Sequence, residues 1–214
     1  MKNFRTHLFI RTFVIFSFLL LLFSTPMTSD ASEQEAVFSG GCFWCLEHDL
    51  EDLPGVISAE SGYSGGTMDN PTYENHSGHK ESVIVHFDNQ TITYKDLLRS
   101  FWRNIDPYDG GGQFCDRGDS YKPMIITKDL QQELDSVNSF DQANVELGAS
   151  PDDIKVQIIP LNKFWIAEGY HQNFAVNNNL KYQFYRYSCG RDSRLRDVWG
   201  ERAGSDSEWI EGAL

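Results

Sequence analysis

Positive charge is scarce in this sequence: 18 lysines and arginines stand against 31 aspartates and glutamates among 214 residues, a formal charge of −13. A surface that neutralises phosphates needs a basic excess, so nucleic acid and anionic lipid are poor partners for this chain. No unit of about 20 to 50 residues recurs, which excludes solenoids. Glycine and proline follow no collagen-like period, and 40% hydrophobic with 14% aromatic content is too much for a disordered chain. Long apolar runs are missing too. The best, Phe13 to Phe23, has 11 residues, well short of the ~20 that span a bilayer as a helix.

That run follows Lys2, Arg5 and Arg11 and precedes Thr25-Pro26 and Ser29-Asp30-Ala31. This is the pattern of an export signal, so residues 1–31 are expected to be a signal peptide cleaved after Ala31. An uncleaved anchor is the alternative, with the apolar stretch extended back through Leu8 to Ile10. Either way the functional domain, 32–214, is expected outside the cytoplasm, in the periplasm of a bacterium. No linker divides it, so it reads as one domain with a cysteine-containing tail from about residue 186.

Cysteines are few: Cys42, Cys45, Cys115 and Cys189. A domain of this size does not need disulfides to make up for a small core, so chemistry competes with stapling as their purpose. Cys115 and Cys189 give no second knuckle for zinc, and His76, His79 and His86 have no metal-ligand spacing, so no metal is expected.

Periodicity predicts alternating strands and helices. Strands are expected at Ala36–Ser39, Val56–Ser61, Glu81–Phe87, Met124–Thr127 and Ile154–Ile159. Helices are expected from Cys42 to about Leu53, from Tyr94 to about Ile105, near Asp129–Asn144 and near Lys163–Asn177. Loops are expected at 62–78 and 106–119. The fold class is α+β, a mixed sheet with helices packed on it.

The sharpest local signal is Gly40-Gly41-Cys42-Phe43-Trp44-Cys45. Two glycines let the chain turn tightly off a strand, so Cys42 lands at the start of the next helix, where free amide N–H groups and the helix dipole favour a thiolate. Cys45, three residues on, lies on the same face and within reach of an oxidised Cys42. Phe43 and Trp44 are suited to wall a small apolar pocket.

Gly41-Cys42-Phe43-Trp44, Gly62-Tyr63-Ser64-Gly65-Gly66, Asn70-Pro71-Thr72-Tyr73, Gly78-His79-Lys80-Glu81, Phe101-Trp102, Asp106-Pro107 and Ala167-Glu168-Gly169-Tyr170-His171-Gln172 occur in one order across the chain. In that order they resemble the A-type peptide methionine sulfoxide reductases, in a bacterial subgroup with Cys45 after the tryptophan. The resemblance implies a two-layer domain with a ferredoxin-like core and reduction of methionine sulfoxide, the S epimer, free or in damaged envelope proteins. It implies Cys42 as nucleophile and Glu81 as the acid that protonates the sulfoxide oxygen. Tyr73 and Tyr121 would hydrogen-bond that oxygen, Asp116 would organise the site, and Phe43 and Trp44 would take the substrate methyl group.

The sulfenic acid left on Cys42 needs a second thiol. Cys45 is the first choice and Cys189, on a Gly-flanked tail, the alternative, while Cys115 is expected to be a buried spectator. No bound cofactor is expected. The partner would be a thioredoxin-like dithiol, and the protein a monomer. Glu47 is expected in a structural ion pair or facing water, and Glu168 with His171 in a structural hydrogen-bond network. Asp119-Ser120-Tyr121-Lys122-Pro123 and Ile105 depart from the family pattern, so contacts at the pocket rim are expected to differ. Two other readings compete: a thiol–disulfide oxidoreductase working through Cys42 and Cys45, and a non-catalytic envelope module stapled by a disulfide.

Overall fold

The computed structural model describes residues 33–210, so the signal-peptide reading of residues 1–31 lies outside it. Strand β1 (Glu33–Ser39) turns through Gly40-Gly41 into helix α1 (Phe43–Glu51), followed by β2 (Val56–Ser64), β3 (Lys80–Asp88) and α2 (Tyr94–Arg103). A short ribbon of β4 (Gly112–Gln113) and β5 (Asp116–Arg117) leads through a 3-10 turn at Asp119–Tyr121 to β6 (Met124–Thr127) and α3 (Leu130–Leu147). Then come β7 (Gln157–Pro160), β8 (Trp165–Ile166), α4 (Phe174–Asn177), α5 (Asn179–Ser188) and α6 (Arg191–Trp199).

Local chemistry sets the helix ends. Pro54-Gly55 follows α1, as expected from sequence. Thr93 and Asp96 cap α2 reciprocally, the Thr93 N–H donating to the Asp96 carboxylate at 2.7 Å. Asp129 caps α3 by accepting from the Gln132 N–H at 2.8 Å, and Gly148 ends it in the left-handed conformation.

The six strands lie in the order β7-β6-β1-β3-β2-β8. Within it, β6-β1-β3-β2 is antiparallel throughout and is built by a β-α-β-β-α-β chain, the ferredoxin-like arrangement. Strand β7 joins parallel to β6, so the sheet is mixed. Central strand β1 is buried on both faces. Ala36 and Phe38 point, with Val83 and Val85, into a core shared with Leu46 and Leu50 of α1 and Leu97 and Phe101 of α2. Val37 meets Ile84, Met124 and Ile126 on the other face, under Ile159, Leu161 and Phe164. Burying such side chains stabilises by about 1.5–3 kcal/mol each.

Three expectations for the second half are corrected. The helix near Lys163–Asn177 is mostly absent: Trp165–Ile166 pairs with Tyr63 and Gly62, and only Phe174–Asn177 is helical. The open edge of β2 explains this, because the Ala167 N–H donates to the Ser61 carbonyl at 2.9 Å and the Phe164 ring occupies the space a Cβ at Gly62 would need. The strand expected from Ile154 begins at Gln157. The tail around Cys189 forms α5 and α6, tied down by Arg186 on Asp49 at 2.7 Å, Arg191 on the Asn104 carbonyl at 2.6 Å and the Trp199 indole N–H on the Ile105 carbonyl at 2.9 Å. Among the described residues no helix is long and apolar enough to cross a membrane.

Candidate active site

Cys42 is the N-cap residue of α1, and its carbonyl accepts from the N–H groups of Cys45 at 3.1 Å and Leu46 at 3.3 Å. The glycine pair before it is required by space. Gly41 has φ +85°, and a Cβ there would lie 2.6 Å from the Gln113 Cβ; one on Gly40 would lie 2.7 Å from the Ile105 side chain. Ile105, which departs from the family pattern, is thus the buried surface against which the turn closes.

Cys42 opens onto a pocket of about 70 Å³ lined by Cys42, Phe43, Trp44, Tyr73, Glu81, Asp116, Tyr121 and Tyr185. Seven of these eight are residues singled out from sequence, brought together from α1, the loop after β2, β3, β5 and the turn before β6. Glu81 reaches the pocket from the start of β3. It is 2% exposed, and its carboxylate accepts the Phe43 N–H at 3.1 Å. Burial pushes its pKa up to about 8, with the Asp116 charge adding to the effect and the Phe43 hydrogen bond opposing it. Near neutral pH the acid therefore keeps its proton.

The 3-10 turn that carries Tyr121 is pinned to the same strand. Buried Lys80 bonds Asp119 at 2.6 Å, and the His76 ring bonds Ser120 at 2.9 Å. The departure at Asp119-Ser120 thus supplies an anchor for Tyr121 beside Glu81. The Tyr73 N–H donates to Glu168 at 2.9 Å, and the Tyr63 hydroxyl donates to the same carboxylate at 2.9 Å. The Trp44 indole donates to His171 Nδ1 at 3.0 Å, and its ring stacks on Phe174 at 3.7 Å between centroids. Burial lowers the His171 pKa, which suits a ring that accepts from Trp44. Glu168 and His171 are therefore scaffolding, as the sequence reading has it. The ring nitrogens of His79 meet the Gly66 N–H and the Met68 carbonyl, and His86 lies among Glu33, Glu35 and Glu60.

Three sequence expectations are revised here. Cys42 does not gain a thiolate from its helix position alone: burial raises its pKa, and the Cys42–Cys45 hydrogen bond, with Arg191 and Arg186 nearby, lowers Cys45 instead. Glu47 pairs with no cation among the described residues and does not face water. It is buried on α1 and accepts from the Ser61 N–H at 3.1 Å, the Ser61 hydroxyl and the Asn173 N–H. Cys115 is neither buried nor a free spectator. It is exposed and joined to Cys189 in a disulfide with Cα atoms 4.9 Å apart, whereas Cys42 and Cys45 are free thiols.

Tyr185 is the pocket residue that sequence reasoning missed. Its hydroxyl donates to Asp116 at 2.5 Å, and it lines the pocket beside Cys42. The signal available was its place four residues before Cys189, but a segment read as an irregular tail gave no reason to aim it at the site.

The peptide methionine sulfoxide reductase family profile matches residues 34–203. The chain is 43% identical over 182 residues to peptide methionine sulfoxide reductase MsrA 2 of Caulobacter vibrioides, covering 83% of this chain and 91% of that one. It is 41% identical over 192 residues to MsrA 2 of Rhizobium meliloti, covering 89% and 96% respectively. The structure of methionine sulfoxide reductase A of Corynebacterium diphtheriae superposes with a TM-score of 0.66 at 27% identity, over 71% of this chain and 78% of that one. Matches of this extent, around a thiol and a protonated acid sharing one aromatic pocket, place the chain in the A-type peptide methionine sulfoxide reductase family.

Proposed function

We propose that Cys42 attacks the sulfur of a methionine S-sulfoxide while Glu81 protonates its oxygen. The single observation that carries this reading is the shared pocket, with a cysteine at a helix start and a buried acid that holds its proton to about pH 8. As the new S–S contact forms, the sulfoxide oxygen gains negative charge, and a neutral carboxylic acid is the group that can neutralise it. The Tyr73 and Tyr121 hydroxyls, whose pKa values burial raises, stay protonated and can donate to the same oxygen. Phe43 and Trp44 give the methyl group an apolar wall. The products are methionine and a Cys42 sulfenic acid.

Cys45 resolves that acid. It is free, one helical turn away and already hydrogen-bonded to Cys42, whereas Cys189 is held by Cys115. The two electrons come from cysteine sulfur, so the cycle draws on an external thioredoxin-like dithiol and needs no bound cofactor. The export-type segment at 1–31 makes damaged envelope proteins the substrate pool and the periplasm the compartment. We take the working unit to be a monomer.

The test presents separate S and R epimers of a methionine sulfoxide peptide to the purified protein with excess dithiothreitol, beside Cys42→Ser. Consumption of the S epimer alone, with the variant inactive, is the expected result. Inertness of a folded sample toward both epimers defeats the reading, and disulfide exchange by Cys42 and Cys45 then becomes the better account.

A further inference from the structure

The mechanism above leaves one proton without a destination. Burial keeps Cys42 as a thiol and Glu81 as an acid, so both hold protons near neutral pH. The Glu81 proton goes to the sulfoxide oxygen. The Cys42 thiol must lose its own proton to something else before it can attack.

Tyr185 touches both groups that this transfer needs. Its hydroxyl donates to the Asp116 carboxylate at 2.5 Å, and it lines the same small pocket as Cys42, whose pKa its proximity lowers against the effect of burial. A phenol has one proton and oxygen lone pairs, so it can accept from Cys42 while giving its own proton to Asp116. Asp116 is partly buried, and burial raises its affinity for a proton even against the Tyr185 hydrogen bond. The ring is fixed by packing edge-on to Trp44, with centroids 6.1 Å apart.

The chain is also tied at both ends of this contact. Cys115 precedes Asp116, and Cys189 is one turn beyond Tyr185, its N–H donating to the Tyr185 carbonyl at 3.0 Å. The Cys115–Cys189 disulfide therefore links the ribbon that presents Asp116 to the helix that presents Tyr185. Without it, that seam would be held by the Tyr185–Asp116 hydrogen bond and by Arg191 lying 4.5 Å from the Phe114 ring centre.

We propose that Tyr185 and Asp116 form the base of this site, passing the Cys42 proton to Asp116 through the Tyr185 hydroxyl, and that the Cys115–Cys189 disulfide holds the pair in register. The proposal rests on Cys42 as nucleophile and Glu81 as acid. The Cys42 S–H bond breaks, its proton moves to the Tyr185 oxygen, and the Tyr185 proton moves to the Asp116 carboxylate. The thiolate then attacks the sulfoxide sulfur as Glu81 protonates the oxygen, and the hydroxyl passes to the Cys42 sulfur as the S–O bond and the newly formed S–S bond both break. Substrate sulfur is reduced by two electrons and Cys42 sulfur is oxidised by two. The proton stored on Asp116 returns to Glu81. Thiol and sulfoxide become sulfenic acid and thioether, with nothing left over.

The test is single-turnover reduction of an S-sulfoxide peptide across about pH 5 to 9, with the pH dependence of Cys42 alkylation measured in parallel. The proteins are the parent, Tyr185→Phe, Cys115→Ser with Cys189→Ser, and the three changes combined. Tyr185→Phe should slow the turnover by about a hundredfold, leave peptide affinity nearly unchanged and move Cys42 alkylation to higher pH. The double serine variant should show a smaller loss of the same kind, and its changes should add nothing once Tyr185 is Phe. Parental rates for Tyr185→Phe overturn the relay, as does a loss confined to affinity with an unmoved alkylation profile. Additive losses overturn the clamp. A parent inert toward the sulfoxide overturns the reductase assignment itself, which separates that failure from failure of the relay.

Discussion

At the scale of single residues, the pocket holds one buried carboxyl, Glu81, that keeps its proton near neutral pH. Glu81 has the Phe43 N–H as a stabilising donor, yet desolvation outweighs that hydrogen bond and the net shift is upward to about 8. The sign of the pH effect follows: below about 8 the acid carries the proton that the proposed step delivers, and above about 8 it does not. The rate of sulfenic acid formation should therefore fall as pH rises through that range. Glu81→Gln should remove this limb and slow the step by roughly a hundredfold or more, while Cys42 stays open to alkylation because the nucleophile is intact. Stopped-flow rates on both proteins check this, and an unchanged alkaline limb in the glutamine variant would assign the titration to another group.

Among elements, the helix that carries Cys42 is tied to its neighbours by a buried carboxyl outside the pocket lining. Glu47, one turn beyond Phe43 on α1, bonds Ser61 on β2 and Asn173 just before α4, so one side chain joins three segments around the pocket. Burial raises its pKa to about 7 against the pull of those hydrogen bonds. The folded protein therefore holds this proton to higher pH than the unfolded chain, whose value is near 4.5. Its contribution to stability is complete below about pH 4.5 and is lost as pH passes through about 7. Glu47→Gln should flatten the fall in urea midpoint over that window, and a slope identical to the parent's would place the titration elsewhere. The core elements were legible in sequence because their signals are local: the short apolar runs Ala36–Phe38 in β1 and Val83–Val85 in β3, three-four spacing in α1 and α2, a glycine pair before Cys42. The segments 163–177 and 179–199 were not, because what shapes them is distant in sequence, namely the open edge of β2 and the acceptors Asp49, Asn104 and Ile105. Asp116 was legible from its motif, but its partner Tyr185 depended on that unread tail.

Over the whole molecule, the ferredoxin-like half supplies the cysteine pair, the acid and two tyrosines, and the C-terminal half closes over them with Tyr185 and the residues under Trp44. The segment that follows α6 is fastened separately. Many ion pairs in a chain with so many acids are exposed and worth little, but among the described residues Arg103–Glu146, like Arg191–Asp49, is buried. The Arg103 side chain is fully buried, paired with Glu146 at 3.0 Å, and it also donates to the carbonyls of Ser205, Ser207 and Glu208 while lying 5.0 Å from the Trp209 ring centre. Arg202 adds a second contact to Glu146 at 3.0 Å. One guanidinium thus ties residues 205–209 to α2 and α3. Glu146→Ala would leave two arginines facing each other with the buried one unpaired, at a cost of about 3–5 kcal/mol. The urea midpoint should drop accordingly and proteases should cut within 200–210 sooner, while Cys42 chemistry in the folded fraction keeps its rate. A loss below about 1 kcal/mol, the range of an exposed pair, would mean that carbonyl and aromatic contacts hold the strap without the charge.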